Sequence, residues 1–307
     1  MRIVFFGTPE FAVPSFQALV QGRFTVAGVV SQPDKPQGRS RSELVPSPIK
    51  VAALSAGVPV LQPVRPVGDV FTASLRRLEP DLGVVVAYGH ILRPEVLSIP
   101  PRGMINVHAS LLPRYRGAAP IQHAILRGET ETGVSIMQME AGLDSGPVLH
   151  RVATPIEPDE TAGALLARLA GLGATGLIEA LSLISGGLAR AQPQDHSRAT
   201  YAPKIDREMA KLVWERDATT LARQIRAFDP VPGAWATLNG GILKVFGARE
   251  VPGTGEPGSV LTAGDRMVIA AGRGAVAIQE VQPAGKNRLS VAAWVRGRGI
   301  APGQRLE

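Results

Sequence analysis

Apolar residues in the first half of the chain come in short runs, separated by stretches whose apolar positions recur at helical spacing. Arg2–Phe6, Val26–Val30, Pro59–Leu61, Leu82–Ala87 and Ile105–His108 read as strands. Phe11–Val20, Pro48–Ala56, Asp69–Leu78 and Ala119–Leu126 read as helices. Before the first helix, Thr8-Pro9-Glu10 offers an N-cap, a proline at the first helical position and an acid in the first turn. Val84-Val85-Val86 sits in the most continuous apolar run and is bounded by polar residues. It predicts a central parallel strand buried on both faces.

Alternating strands and helices imply an α/β, Rossmann-like, doubly wound and mostly parallel sheet, whose ligands bind beyond the carboxyl ends of the strands. Val134–Met139 and Val148–Ile156 then read as strands flanking a glycine-bracketed turn, and Glu160–Ser185 as helical up to Gly186-Gly187. Within it, Thr161–Ile184 is apolar but broken by Arg168, Glu179 and several glycines, which predicts a buried or amphipathic helix pair rather than a membrane span. Ala189–Pro203 is polar without period and reads as a linker. Beyond it lie a helix, Ala218–Phe228, and five short strands: Trp235–Leu238, Ile242–Val245, Ser259–Leu261, Met267–Ala270 and Val276–Val281. They predict a smaller C-terminal OB-like β-barrel. The expected organisation is a first domain over 1–188, a linker over 189–203 and a second domain over 204–307.

Composition narrows the chemistry. The absence of cysteine excludes disulfides, thiolate catalysis and cysteine-ligated zinc, and favours a cytoplasmic setting. The opening Met1–Gly7 is too short and too soon broken by Gly7-Thr8-Pro9 for a signal peptide. A net charge of +7 favours polyanions. Residues 204–307 hold 15 Lys/Arg against 10 Asp/Glu, with basic groups thickening towards the end, which suits contact with a phosphate backbone. After the first strand only Gly7 stands where a dinucleotide fingerprint needs three glycines, and Glu10 adds negative charge there, so a nicotinamide cofactor is not expected.

The chemistry concentrates in Met104–Gln122 and Ala141–Pro147. Asn106 and His108 stand two residues apart on one strand and therefore project from the same face. Ser110-Leu111-Leu112-Pro113 follows, then Arg114 and Arg116 around Tyr115, and downstream a single carboxylate, Asp144, in a glycine-flanked turn. An amide for a developing oxyanion, an imidazole base and a carboxylate to orient it make an acyl-transfer set. Each residue alone has a plainer reading: a core histidine, a strand-end asparagine, a turn aspartate. Together, in this order, the functional reading prevails. His90, His123, His150 and His196 lack ligand-like spacing with acids, and no metal site is expected.

These segments resemble the active site of the folate-dependent formyltransferases, and Arg114–Gln122 resembles the tRNA-acting members of that family. Further segments, Gln224–Trp235 and Val295–Arg298, resemble their C-terminal domain, although Asp229 and Val231 replace the usual asparagine and tryptophan. The resemblance implies 10-formyltetrahydrofolate as donor and the α-amino group of methionine on initiator tRNA as acceptor, a step of translation initiation. It implies that Asn106 donates to the oxyanion, that His108 assists there or removes the ammonium proton, and that Asp144 orients His108. Ser110, Leu111, Leu112 and Pro113 would line the pterin side of the folate pocket. The loop Pro33–Ser42, carrying Arg39 and Arg41, would enter the acceptor end of the tRNA, while Ser40, Ser42 and Glu43 depart from the glycine or lysine expected there. Lys286, Arg288, Arg296 and Arg298 would meet phosphates. A monomer without membrane attachment is expected. Rival acceptors are glycinamide ribonucleotide and an amino sugar nucleotide; a non-catalytic RNA-binding protein is the rival of another class.

Overall fold

The computed structural model describes residues 1–22, 24–37 and 43–307. By internal packing the chain groups into two units, Met1–Gly117 with Thr132–Thr154 and Leu166–Tyr201, and Ala118–Glu131 with Pro155–Leu165 and Ala202–Glu307. Arg39 and Arg41 lie outside the described residues.

The first unit is built on a seven-stranded sheet. In chain order its elements are β1 (Arg2–Gly7), α1 (Val13–Gln21), β2 (Thr25–Val30), a small hairpin of β3 (Lys35–Gln37) and β4 (Glu43–Val45), α2 (Pro48–Ser55), β5 (Val60–Leu61), α3 (Asp69–Arg76), β6 (Leu82–Val86), α4 (Pro94–Leu97) and β7 (Met104–His108). After α5 (Pro120–Leu126), which belongs to the second unit, come β8 (Glu131–Gln138), β9 (Val148–Pro155) and α6 (Ala162–Ser185). The strand order is β5-β2-β1-β6-β7-β8-β9. The pairs from β5 to β7 are parallel, and β8 runs antiparallel to β7. All five residues of β6 are buried, as its apolar run predicts for a strand with parallel neighbours on both sides.

Two local expectations change. Thr8 does not cap a helix: a 3-10 turn, Glu10–Ala12, precedes α1 without a side-chain cap, and the Thr8 hydroxyl instead donates to the carbonyl of Tyr88 at 3.1 Å. Residues 162–185 form one continuous helix rather than a pair. Its glycines serve packing, since a Cβ at Gly173 would meet Val107 Cγ1 at 3.0 Å and one at Gly176 would meet Val152 Cγ2 at 3.1 Å. The helix thus lies close against β7 and β9. It is long and apolar enough by composition to cross a membrane, and half of its apolar window is buried within the protein.

In the second unit, α7 (Ala218–Ala227) starts at Asp217, whose carboxylate accepts from the Thr220 amide at 2.9 Å. Eight short strands follow instead of five: β10 (Ala234–Leu238), β11 (Gly241–Phe246), β12 (Arg249–Val251), β13 (Val260–Ala263), β14 (Met267–Ala270), β15 (Ala275–Ile278), β16 (Glu280–Pro283) and β17 (Leu289–Ser290). All pair antiparallel in two four-stranded sheets, β10-β11-β16-β17 and β12-β15-β14-β13, with α8 (Val291–Arg296) after the last strand. The run read as a single strand, Val276–Val281, breaks at Gln279 and passes from one sheet to the other.

Candidate active site

β7 carries Asn106 and His108 to the carboxyl end of the sheet, between β6 and β8. Asn106 is part-exposed, and His108 is buried at 6% exposure. The His108 ring is held at Nε2, which lies 2.9 Å from the carbonyl oxygen of Tyr115. A carbonyl only accepts, so Nε2 carries the proton and, in the neutral ring, Nδ1 keeps its lone pair. Nδ1 faces Asp144 Oδ2 at 3.7 Å, close enough for electrostatic coupling and too far for a hydrogen bond. The hydrogen bond that holds the ring comes from the Tyr115 backbone.

Asp144 is itself fixed. Its Oδ2 accepts the backbone N–H of Gly117 at 2.8 Å. Its backbone takes a left-handed conformation, φ 46°, in a turn closed by the Gln138 amide donating to the Pro147 carbonyl at 2.9 Å. Gly117 has φ 114°, which a side chain would oppose, so the glycine lets its amide point at the carboxylate. One short loop, Tyr115–Gly117, thus supplies the carbonyl that anchors the base and the amide that anchors the acid.

In Ser110–Pro113, Ser110 and Leu112 are buried, and Leu112 packs with Met137 and Val148. Ser135 pins the loop: its hydroxyl donates to the Ser110 carbonyl at 2.7 Å and accepts the Leu112 amide at 3.0 Å. The Ser110 hydroxyl donates to the Arg114 carbonyl at 2.6 Å. Only Leu111 and Pro113 keep partial exposure. The basic pair also divides, for Arg114 is exposed while Arg116 is 3% exposed.

Around the same sheet edge, the Tyr88 carbonyl ties three strand ends together by accepting from Thr8 and from Gln32 Nε2, the latter at 2.9 Å. The Tyr88 ring packs among Phe6, Leu92 and Met104, where burial pushes its phenol up to about 12. At the base of the β3–β4 hairpin, Asp34 Oδ2 meets Lys50 Nζ at 2.6 Å and its Oδ1 accepts from Gln62 Nε2 at 2.7 Å. These hydrogen bonds, that from Lys50 first, hold the Asp34 carboxyl below its ordinary value. Among the described residues, no three His, Cys, Asp or Glu side chains gather into a metal-binding group.

The basic residues of the second unit fall into two kinds. Lys286, Arg296 and Arg298 are exposed and carry no ion-pair partner among the described residues. Arg288 is committed: it binds both oxygens of buried Asp229, at 2.7 and 3.2 Å, reaches Glu280 at 2.6 Å and lies 4.0 Å above the Phe246 ring. Asp229, at the position where the resemblance expects asparagine, is the carboxylate that pairs with Arg288.

Sequence reading missed the second layer of the site: the Tyr115 carbonyl, Gly117, Ser135 and, within the presumed linker, Gln194 and Thr200. Gly117 alone carried a signal, as a glycine inside a run of chemistry-bearing residues.

The chain matches two family models, "Formyl transferase" over residues 1–181 and "Formyl transferase, C-terminal domain" over residues 204–299. It is 47% identical to the methionyl-tRNA formyltransferase of Methylococcus capsulatus over 308 residues, covering 100% of this chain and 99% of that protein. With the methionyl-tRNA formyltransferase of Pseudomonas paraeruginosa it shares 49% over 299 residues, 97% of this chain and 96% of the other. Among solved structures it resembles the sugar 3N-formyl transferase WlaRD with dTDP and 5-N-formyl-THF at TM-score 0.67 and 20% identity, covering 94% of this chain and 99% of that one. HypX from Aquifex aeolicus in complex with tetrahydrofolic acid superposes at TM-score 0.64 and 21% identity, over 97% of this chain and 47% of the other. At these identities the structures establish a common fold.

Proposed function

The chain belongs to the formyl transferase family, and we propose that it transfers a formyl group from 10-formyltetrahydrofolate to the α-amino group of methionine on initiator tRNA. One observation carries the chemistry: Asn106 and His108 share a strand end, with Asp144 3.7 Å from the His108 ring. The acceptor follows from identity of 44–49% along the full chain to methionyl-tRNA formyltransferases.

The reaction joins an amine to an acyl carbon. The methionyl ammonium gives up a proton, the amine nitrogen attacks the formyl carbon, and a tetrahedral adduct forms with negative charge on the formyl oxygen. The Asn106 amide donates to that oxygen where charge develops. His108 Nδ1 is the ring nitrogen with a lone pair to accept the amine proton, and the Asp144 carboxylate stabilises the resulting imidazolium. Collapse breaks the bond from carbon to the folate nitrogen, which takes up a proton as it leaves. Leu111 and Pro113 form the apolar side of the folate pocket, over a floor set by Ser110 and Leu112.

In this reading the protein works as a monomer in the cytoplasm, without membrane attachment. Lys286, Arg296 and Arg298 neutralise tRNA phosphates, and Arg39 and Arg41 approach the acceptor end. Incubation with 10-formyltetrahydrofolate and a panel of amines tests it. The panel holds charged initiator tRNA, glycinamide ribonucleotide and an amino sugar nucleotide; formyl-methionine on the tRNA is expected, and formylation of either small amine in its place would move the chain to a rival acceptor.

A further inference from the structure

Residues 189–203 read as linker, yet Gln194 within them is buried at 6% exposure while Gln192, Pro193 and Asp195 are exposed. Every hydrogen-bonding position of its side-chain amide is used. Nε2 donates to the carbonyls of Asp144, at 2.9 Å, and Gly146, at 2.7 Å. Oε1 accepts from Arg116 Nε at 3.1 Å and Nη2 at 2.6 Å. The partners fix the orientation of the amide, because two carbonyls only accept and a guanidinium only donates. Arg116, also buried, stands between Tyr115 and Gly117, the residues that anchor His108 and Asp144. Its backbone amide donates to the Thr200 carbonyl at 2.8 Å, and the Tyr115 amide donates to the Thr200 hydroxyl at 2.8 Å, so the same segment grips the loop a second time.

We propose that Gln194, bridged to Arg116, is a positioning residue that sets the Asp144 carboxylate against the His108 ring. The inference rests on the formyl-transfer reading of the site and adds a role within it. Gln194 touches no reacting atom. It joins the two loops that hold the imidazole and the carboxylate, and does so where the Asp144 backbone sits in the left-handed region, which aspartate enters more readily than most residues with a side chain. Without the two N–H donors the turn keeps only the Gly117–Asp144 hydrogen bond to the Tyr115–Gly117 loop, and the separation of Asp144 from His108 is less tightly set. Displacements of about 1 Å in a catalytic group are worth up to 100-fold in rate.

Two substitutions and one neighbour test this. Gln194→Glu keeps the shape and the bond to Arg116 but turns acceptors towards the Asp144 and Gly146 carbonyls; Gln194→Leu removes both sets of bonds. Each should lower kcat for formylation of Met-tRNA by about 10- to 100-fold, with KM for either substrate within about twofold. In an Asp144→Asn background, Gln194→Leu should cost little more. Gln192→Leu, two residues away and exposed, should leave kcat near wild type. A kcat within twofold of wild type in both Gln194 variants, a loss that multiplies in the Asp144→Asn background, or an equal loss from Gln192→Leu overturns the proposal. The ¹⁵N spectrum of the His108 ring gives a readout independent of any acceptor. Gln194→Glu should shift the Nδ1 resonance, and an unmoved spectrum in the folded variant overturns the role. If the wild-type protein formylates no amine, the functional reading fails, while the ring spectrum still decides whether Gln194 positions this pair.

Discussion

His108 presents its Nε2 to the carbonyl oxygen of Tyr115 at 2.9 Å, and this contact decides which nitrogen of the neutral ring keeps its lone pair. With Nε2 donating, the neutral ring keeps its lone pair on Nδ1, on the side of Asp144. In the proposed mechanism the carboxylate acts on the charge that the ring acquires, while backbone sets the tautomer. His108→Ala and Asp144→Ala should each lower kcat/KM, and the double variant should lose far less than the product of the two. Independent, multiplying losses would mean that the carboxylate serves some partner other than the imidazole.

Asn106 is the proposed donor to the oxyanion. Asn106→Ala should lower kcat by roughly 100- to 1,000-fold, the usual loss for one such donor. Folate affinity should hardly change, because the hydrogen bond strengthens mainly in the transition state. Near-normal turnover would remove Asn106 from the mechanism.

The basic residues of the second unit separate by salt dependence and stability. Tenfold changes in salt should weaken tRNA binding with a slope near 0.7–0.9 per neutralised phosphate. Replacing Lys286, Arg296 and Arg298 with alanine should flatten that slope and leave folate affinity intact. Arg288→Ala should act otherwise, since it strands the carboxylate of buried Asp229; a loss of roughly 1–3 kcal/mol in urea unfolding is expected, with little change in slope. A flatter slope from Arg288→Ala with unchanged stability would return this residue to the phosphate contacts.

Much of this site was legible because its information is local. The apolar run of β6 and the spacing of Asn106 and His108 on β7 need only a strand's period of two. What escaped depends on partners far along the chain. Thr8 has the composition of a cap, but its hydroxyl finds the Tyr88 carbonyl, 80 residues away. Val276–Val281 is interrupted only by Gln279-Glu280, too short a polar break to read as the passage between sheets that it marks. Gln194 lies in a polar, aperiodic stretch, and only folding shows that its amide faces inward. Arg288 reads as a free cation until Asp229, 59 residues earlier, is set beside it.

His123 gives a pH dependence of stability. Burial, opposed by the hydrogen bond with the Pro203 carbonyl and aided by nearby Arg127, lowers its pKa from the ordinary 6.5. The Pro203 carbonyl lies 3.1 Å from Nε2, as a neutral, Nε2-protonated ring requires. The unfolded chain thus binds this proton more readily than the folded one. Its contribution is fully present above pH 6.5 and is lost as pH falls from there through the lowered value. Urea midpoints at pH 7.5 and 5.0 should differ less in His123→Gln than in the wild type, and equal differences would contradict the assignment.

Rapid-quench single turnover shows whether this site moves a formyl group onto methionine esterified to initiator tRNA. Excess protein with 10-formyltetrahydrofolate is mixed with charged initiator tRNA, and the amino acid released from the tRNA is identified by mass. The expected result is stoichiometric N-formylmethionine, formed rapidly by the wild type and at least a hundredfold more slowly by Asn106→Ala. Methionine recovered unformylated from the wild-type reaction, with donor and charged tRNA both bound, would mean that this site does not carry out the transfer.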